Sequence, residues 1–284
     1  MEVSCRGCAG CCIDWRPLAS VEDHERRGPR RPLDDVYNLV PLSRDDVRAL
    51  VEAGLGDAMV PRLWLVEDGP AVTVDGYEVA AIEGKPAFFV GLRTVPKPVD
   101  PFDTDPRWLP TCIFLDPRTL QCRIHGAPEY PEECAAYPGH NLSLGAETEC
   151  ERVETHFDGE RLLDAEPPED APPPLLGPQA VGQKVFAYPE PEELSGVVER
   201  LAAGRSEPAD RARFVAVAAA SAPGTTAIET RRLESTLAAV RGRVSWIEPA
   251  IDEWRTLAES APPDPDQAAA VEDDRGASPT PGWD

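Results

Sequence analysis

The run Cys5-Arg6-Gly7-Cys8-Ala9-Gly10-Cys11-Cys12 places four thiols within eight residues. Two-residue gaps are the spacing at which a single loop wraps a metal ion or an iron–sulfur cluster. Gly7 and Gly10 each precede a cysteine, where freedom to adopt φ > 0 lets the chain curl and aim backbone N–H groups at sulfur. Adjacent Cα atoms lie ~3.8 Å apart and their side chains diverge. Cys11 and Cys12 therefore sit awkwardly on one relaxed tetrahedron. Cys5, Cys8 and one of the pair are expected to share a site. The other would serve a second site, or a second metal atom of the same cluster.

The remaining thiols are Cys112, Cys122, Cys134 and Cys150, so all eight cysteines precede residue 151. The segment from Thr111 to Cys122 reads as strand, turn, strand, with Asp116-Pro117 opening the turn. A two-residue turn at Pro117-Arg118 pairs Ile113 with Cys122; a three-residue loop centred on Pro117 pairs Cys112 with Cys122. Either register brings the two thiols close. His125 and His140 flank cysteine positions, where packing or hydrogen bonding is a commoner role than ligation.

These positions resemble the YkgJ-type CxxCxxCC cysteine cluster family, described as a zinc- or iron-chelating domain. The matching residues are Cys5, Cys8, Cys11 and Cys12; Cys112 with Phe114-Leu115; Cys122 with Ile124-His125; and Cys134 with Tyr137-Pro138. Where that family commonly has Arg-Pro before its third downstream cysteine, this chain has Tyr130-Pro131, and Cys150 lies outside the motif. The resemblance covers roughly residues 1–150. It implies metal chelation by these thiols without a settled reaction, although some relatives are linked to lysine N-methylation. All-thiolate ligation suits Zn2+ and an iron–sulfur cluster alike, so both remain open as the cofactor.

Composition sets the surroundings. The chain has 284 residues, 28 Lys+Arg against 51 Asp+Glu, and a formal net charge of −23. Such an acidic surface repels phosphate backbones, which argues against a nucleic-acid partner. The longest apolar stretch, Phe214 to Ala222, falls short of the ~20 residues that a membrane helix needs. Lys85, Lys97 and Lys184 are the only lysines. Excess carboxylate with scarce lysine fits a salt-rich, halophilic cytoplasm, or simply a GC-rich genome. The N-terminus carries no basic stretch or apolar signal region, so a cytoplasmic location is expected. In a reducing compartment clustered cysteines bind metal or do redox work rather than form a disulfide framework. Arg26, Arg27, Arg30 and Arg31 form a basic cluster expected to pair with the neighbouring carboxylates of Glu22, Asp23, Asp34 and Asp35.

The expected fold class is α+β. A cysteine-rich domain with short β-hairpins should occupy residues 1–163, followed by a Pro-rich linker at 164–178. A helical region is expected at 179–261, and a disordered acidic tail at 262–284. Asp75-Gly76 between β-rich runs marks a hairpin, Ala87–Val90 a strand, and Ser43 the cap of a helix that Gly54 ends. Helices are expected over Glu192–Ala203 and Pro208–Ala222, and after capping boxes at Thr226-Ala-Ile-Glu229 and Ser245-Trp-Ile-Glu248. Ile247, Ile251, Trp254 and Leu257 form an apolar face assigned to packing. The leading functional expectation is metal binding by the eight thiols. The alternatives are a zinc-stapled scaffold whose helical C-terminal part docks a protein partner, thiol–disulfide chemistry at Cys11-Cys12, and methyl transfer.

Overall fold

The computed structural model describes residues 1–19, 31–37, 39–66, 68–157, 159, 161–169, 182–222, 225–243 and 245–282. Most of the basic cluster (Arg26, Arg27, Arg30), and residues 170–178 of the expected linker, lie outside these.

The first helix, α1 (Arg44–Ala53), follows from its caps. The Ser43 hydroxyl accepts the Asp46 N–H at 3.2 Å while the Asp46 carboxylate accepts the Ser43 N–H at 2.8 Å. This reciprocal pair satisfies two otherwise orphaned donors. Gly54 ends the helix at φ 84°, a left-handed position that glycine adopts without a Cβ penalty. Val47 and Leu50 turn inward and are buried.

The principal sheet is antiparallel and built from β1 (Arg31–Pro32), β2 (Met59–Leu65), β3 (Ala71–Val74), β4 (Tyr77–Ile82), β5 (Lys85–Leu92) and β8 (Phe186–Ala187). Asp75-Gly76 makes the expected hairpin turn, with φ of 51° and 82°; Glu83-Gly84 repeats it at 52° and 75°. Paired positive φ values match the right-handed twist of the flanking strands. β2 pairs β5 from Met59↔Leu92 to Leu63↔Phe88, then diverges so that Leu65 meets Val79 of β4. Beside this sheet stands a ribbon of β6 (Thr94–Val99) and β7 (Arg107–Cys112), paired from Thr94↔Cys112 to Val99↔Arg107. Strand alternation puts Val95, Lys97 and Val99 on one face, and all three are buried.

Three short helices follow: α2 (Glu132–Ala136), α3 (Gly139–Ser143) and α4 (Glu149–Phe157). The later helices are α5 (Val197–Ala202), α6 (Pro208–Ala220), α7 (Thr230–Gly242), α8 (Ile247–Ser260) and α9 (Pro265–Asp273). α6 is apolar nearly all round, as a helix enclosed by other elements must be. Phe214 to Ala220 are buried between α1, α7, β2 and β5. Ile247, Ile251 and Trp254 are buried along α8 as expected, against the β6–β7 ribbon.

Several expectations change. The helical region does not stand apart from the cysteine-bearing half: one core runs from Cys8 and Ile13 through Phe88 to Phe214 and Trp254. The start of the expected linker is fastened to the N-terminus, with Val3 bridging Leu163 and the Asp164 N–H reaching Glu2 O. The expected disordered tail contains α9, whose Ala268, Ala269 and Glu272 are buried. Asp264 caps it by accepting the N–H groups of Asp266 and Gln267. The Glu192–Ala203 helix is interrupted at Ser195-Gly196, where Gly196 has φ 72°. The Thr226 capping box does not form: Thr226 donates to Glu83, and α7 starts only at Thr230. Ser245 does act at the start of α8, accepting the Ile247 N–H while its hydroxyl donates to Asp57.

Candidate functional site

The N-terminal cysteine run folds as consecutive turns. Cys5 O accepts the Cys8 N–H at 3.2 Å and Ala9 O accepts the Cys12 N–H at 2.8 Å. Gly7 takes φ 72°, as its position before a cysteine predicts. The Gly10 N–H points at Cys8 Sγ, 3.3 Å away. A Cβ on Gly10 would stand 2.9 Å from Val153 Cγ2, so α4 presses on this turn. The Phe102 N–H donates to Gly7 O from the other side.

At its exit the run joins the ribbon. The Cys112 N–H donates to Cys12 O at 2.7 Å and Ile13 bridges Thr111. After Cys112 the chain closes another turn, Leu115 N–H to Cys112 O, and the amides of Phe114 and Leu115 hydrogen-bond the Cys112 sulfur. Cys122 repeats the device with the His125 N–H on its carbonyl and the Ile124 amide on its sulfur. The pairing between these segments follows neither expected register. Leu115 bridges Cys122, and Asp116 N–H donates to Gln121 O across a longer loop. The Asp116 carboxylate accepts the N–H groups of Arg118 and Thr119, and this Asx-type turn sets the loop length.

Cys134 is carried by α2 and Cys150 by α4. Tyr137 links the two helices: its hydroxyl accepts the Glu149 N–H at 2.6 Å and hydrogen-bonds the Cys150 sulfur. Glu149 is further held by Trp15 Nε1 at 3.0 Å and Tyr37 Oη at 2.9 Å. All eight cysteines are free thiols. Cys5 is exposed, Cys8, Cys112 and Cys150 are buried, and the others are half-buried. His125 packs against Tyr130 and His140 Nδ1 lies 3.6 Å from Glu133.

Cys11 lies within electrostatic reach of the other seven thiols, including those distant in sequence. Its sulfur lies 3.8 Å from that of Cys12. A negative charge on Cys11 raises the pKa of each of the other seven cysteines, opposing their ionisation. Cys11 itself is lowered by the Cys12 hydrogen bond, and Cys12 is pushed up correspondingly. Burial drives Cys5 up to about 11, and Cys8, Cys122 and Cys150 up to about 12. Desolvation disfavours the anion, and only a nearby cation or donor reverses it. As placed, no three Cys, His, Asp or Glu side chains among the described residues are grouped to hold a metal ion. The donor chemistry fits a thiophilic ion nonetheless. Backbone amides already face Cys8, Cys112 and Cys122, and turning a cysteine between staggered χ1 wells moves its sulfur by roughly 3 Å.

Two lysines complete the surroundings. Lys97 is fully buried; its Nζ donates to Ile113 O and Leu115 O, each at 2.7 Å, so it holds the turn that follows Cys112. The same ammonium lies 2.8 Å from Glu272 Oε1 of α9 and 4.7 Å from the Trp254 ring centroid. Arg123, next to Cys122, also pairs with Glu272, and reaches Asp273 Oδ1 at 3.0 Å and Ser278 O at 2.9 Å. Lys184, equally buried, pairs with Glu133 beside Cys134. Reading the sequence for ligands missed these residues. Their signal was rarity: two of the chain's three lysines are the ones buried.

A family profile matches residues 1–284. The chain belongs to DUF7531, a family of unknown function. No curated protein and no solved structure matches it. The resemblance to the YkgJ-type cluster family is thereby corrected: the family that spans this DUF7531 chain is a different one, and no ready-made metal group accompanies the motif among the described residues. The physical lesson is that a CxxCxxCC run and a Tyr-Pro step are short enough to recur on an unrelated chain. Among the described residues of this DUF7531 protein, no helix is long and apolar enough to cross a membrane.

Proposed function

We propose that this protein binds metal through its cysteine thiolates, as zinc ions or as an iron–sulfur cluster. The observation that carries the reading is the fastening of the Cys5–Cys12 run to the Cys112 turn, through the Cys112 N–H on Cys12 O, with backbone amides turned toward the sulfurs of Cys8, Cys112 and Cys122. Cys5, Cys8, Cys11, Cys12, Cys112, Cys122, Cys134 and Cys150 are the ligand candidates. A zinc ion held in this way would supply a rigid cross-link, and an iron–sulfur cluster would supply one-electron transfer. The chain's own groups would orient the ligands: Lys97 fixes the Cys112 turn, Lys184 holds Glu133 beside Cys134, and Tyr137 hydrogen-bonds Cys150.

A structural staple is the second reading. Cys5 to Cys12 and the loop after Cys112 are joined to the rest by turns and isolated bridges rather than by ladders. Such segments gain most from cross-linking. Purification without oxygen, followed by metal and sulfide analysis and a visible spectrum, tests both. Iron with equimolar sulfide and broad visible absorbance supports a cluster; zinc alone with no colour supports the staple. A chain containing neither metal, and taking up neither on reconstitution, refutes the proposal.

A further inference from the structure

We propose that Cys11 and Cys12 form a reversible thiol–disulfide pair, oxidised across their adjacent sulfurs by a peroxide and reduced again by a small-molecule thiol. The pair needs no metal for this, so the switch stands apart from the metal-binding reading.

Side chains of consecutive residues ordinarily point apart, and here they do not. The sulfurs of Cys11 and Cys12 share a hydrogen bond at 3.8 Å. Among the described residues this is the one hydrogen bond between two thiols. Other sulfurs face different donors: the Gly10 N–H at Cys8, the Phe114 and Leu115 amides at Cys112, the Ile124 amide at Cys122 and the Tyr137 hydroxyl at Cys150. The turn that brings the pair together is held on both sides. Ala9 O accepts the Cys12 N–H at 2.8 Å, with Ala9 itself at φ 50°. A Cβ on Gly10 would stand 2.9 Å from Val153 Cγ2, and Cys12 O accepts the Cys112 N–H at 2.7 Å. A backbone fixed in this way leaves the sulfurs to move by χ1. Closing from 3.8 Å to a bond of about 2.05 Å is less than the roughly 3 Å swing between staggered wells. Both residues are half-buried, whereas Cys8, Cys112 and Cys150 are buried, so a small oxidant meets this pair more readily than those three.

The chemistry balances with a peroxide as oxidant. One thiol of the pair attacks the O–O bond; an S–O bond forms, water or an alcohol leaves, and the sulfur becomes a sulfenic acid. The neighbouring thiol attacks that sulfur, the S–S bond forms, the S–O bond breaks, and the hydroxyl leaves as water with the second thiol's proton. Two electrons pass from the pair to the peroxide. Two molecules of a thiol such as glutathione reverse the change. The first opens the S–S bond as a mixed disulfide and the second displaces it, which restores both cysteines and releases one oxidised dimer. Adjacent Cα atoms lie ~3.8 Å apart, less than the ~4.4–6.8 Å that an ordinary disulfide spans. The ring closed by Cys11 and Cys12 is therefore strained, and strained disulfides are the ones a thiol pool reduces. Such a bond switches rather than staples.

The test uses the full chain, reduced and desalted without oxygen, as purified and after treatment with a chelator. Near-stoichiometric hydrogen peroxide is added, the remaining thiols are alkylated under denaturing conditions, and mass spectrometry counts and maps them. The chelator-treated wild type should lose two of its eight thiols and regain both on treatment with glutathione. Fragmentation of the peptide carrying Cys8, Cys11 and Cys12 should place the alkyl group on Cys8. Cys11→Ser and Cys12→Ser should each abolish the intramolecular disulfide, whereas Cys8→Ser should leave it. Far-UV circular dichroism identifies any variant that fails to fold, and the wild-type fragmentation then decides alone. A disulfide mapped to other cysteines, one that persists in Cys11→Ser, or one that resists glutathione overturns the proposal. So does a chelator-treated wild type that keeps all its thiols. Metal content, measured on the same preparation, tests the metal-binding reading separately, and its failure leaves the switch standing.

Discussion

Replacing Lys97 with Met should be among the most damaging single changes in this protein. The ammonium is fully buried, donates to Ile113 O and Leu115 O, and faces Glu272, which is also fully buried. Its 2.8 Å approach to Glu272 Oε1 is an ion pair lying outside hydrogen-bond geometry, so the two carbonyls are its directional partners. Methionine fills the volume but leaves two carbonyls undonated and Glu272 dependent on Arg123 alone. Removing one member of a buried ion pair costs about 3–5 kcal/mol. Adding the hydrogen bonds separately would count the same ammonium twice. For a chain of this size that loss lowers the melting midpoint by roughly 5–8 °C. Urea unfolding followed by tryptophan fluorescence and circular dichroism measures it. The paired substitution Glu272→Leu supplies the control: the double variant should cost less than the sum of the singles by about 1–3 kcal/mol. Additive losses, or a Lys97→Met loss under about 1 kcal/mol, would show that the buried ammonium does not hold the Cys112 turn to α9.

Other consequences are simpler. Gly91→Ala should destabilise by about 1–3 kcal/mol, because its Cβ would fall 2.4 Å from Leu39 Cγ and 2.7 Å from the Val40 carbonyl oxygen, a backbone atom; an unchanged urea midpoint would contradict the packing of residues 39–42 on β5. Ser43→Ala should remove about 1 kcal/mol through loss of the α1 capping box, with Ser43→Gly milder. Asp116 gives a pH effect. Burial opposes its ionisation, but Thr280, Arg123 and the amides of Arg118 and Thr119 outweigh it and hold its carboxyl below the ordinary value. Its contribution is therefore present above the unfolded aspartate range of about 3.9 and is lost as pH falls through the lower folded value. Hydrogen exchange at residues 274–282 should accelerate only below that range, and Thr280→Val should move the onset to higher pH. Exchange that accelerates near neutrality would exclude Asp116 as the latch.

Local chemistry was readable wherever the partner lay within a few residues. Ser43, Asp46 and Gly54 bracket α1, and Asp75-Gly76 makes its hairpin, because caps and tight turns are closed by atoms in the same short segment. The expectation failed where a distant partner competed. Thr226 satisfies its hydroxyl at Glu83 instead of starting a helix, and Asp116 spends its carboxylate on a longer loop that shifts Cys122 opposite Leu115. The segment 262–284 looked too polar to order, yet Glu272 folds inward because Lys97 and Arg123 await it.

By itself, the sequence determined that eight thiols lie in the first part of the chain, that the surface is strongly acidic, and which short segments turn or cap. Spacing and composition are local or additive properties, so they survive without coordinates. The tertiary structure decided which thiols face one another, that the C-terminal helices share the core of the cysteine-bearing half, and what the scarce lysines do. Those facts depend on contacts between residues far apart in the chain. A buried ammonium such as Lys97 is tolerated only where carbonyls and a carboxylate from separate elements meet it, and no window of sequence contains all of them.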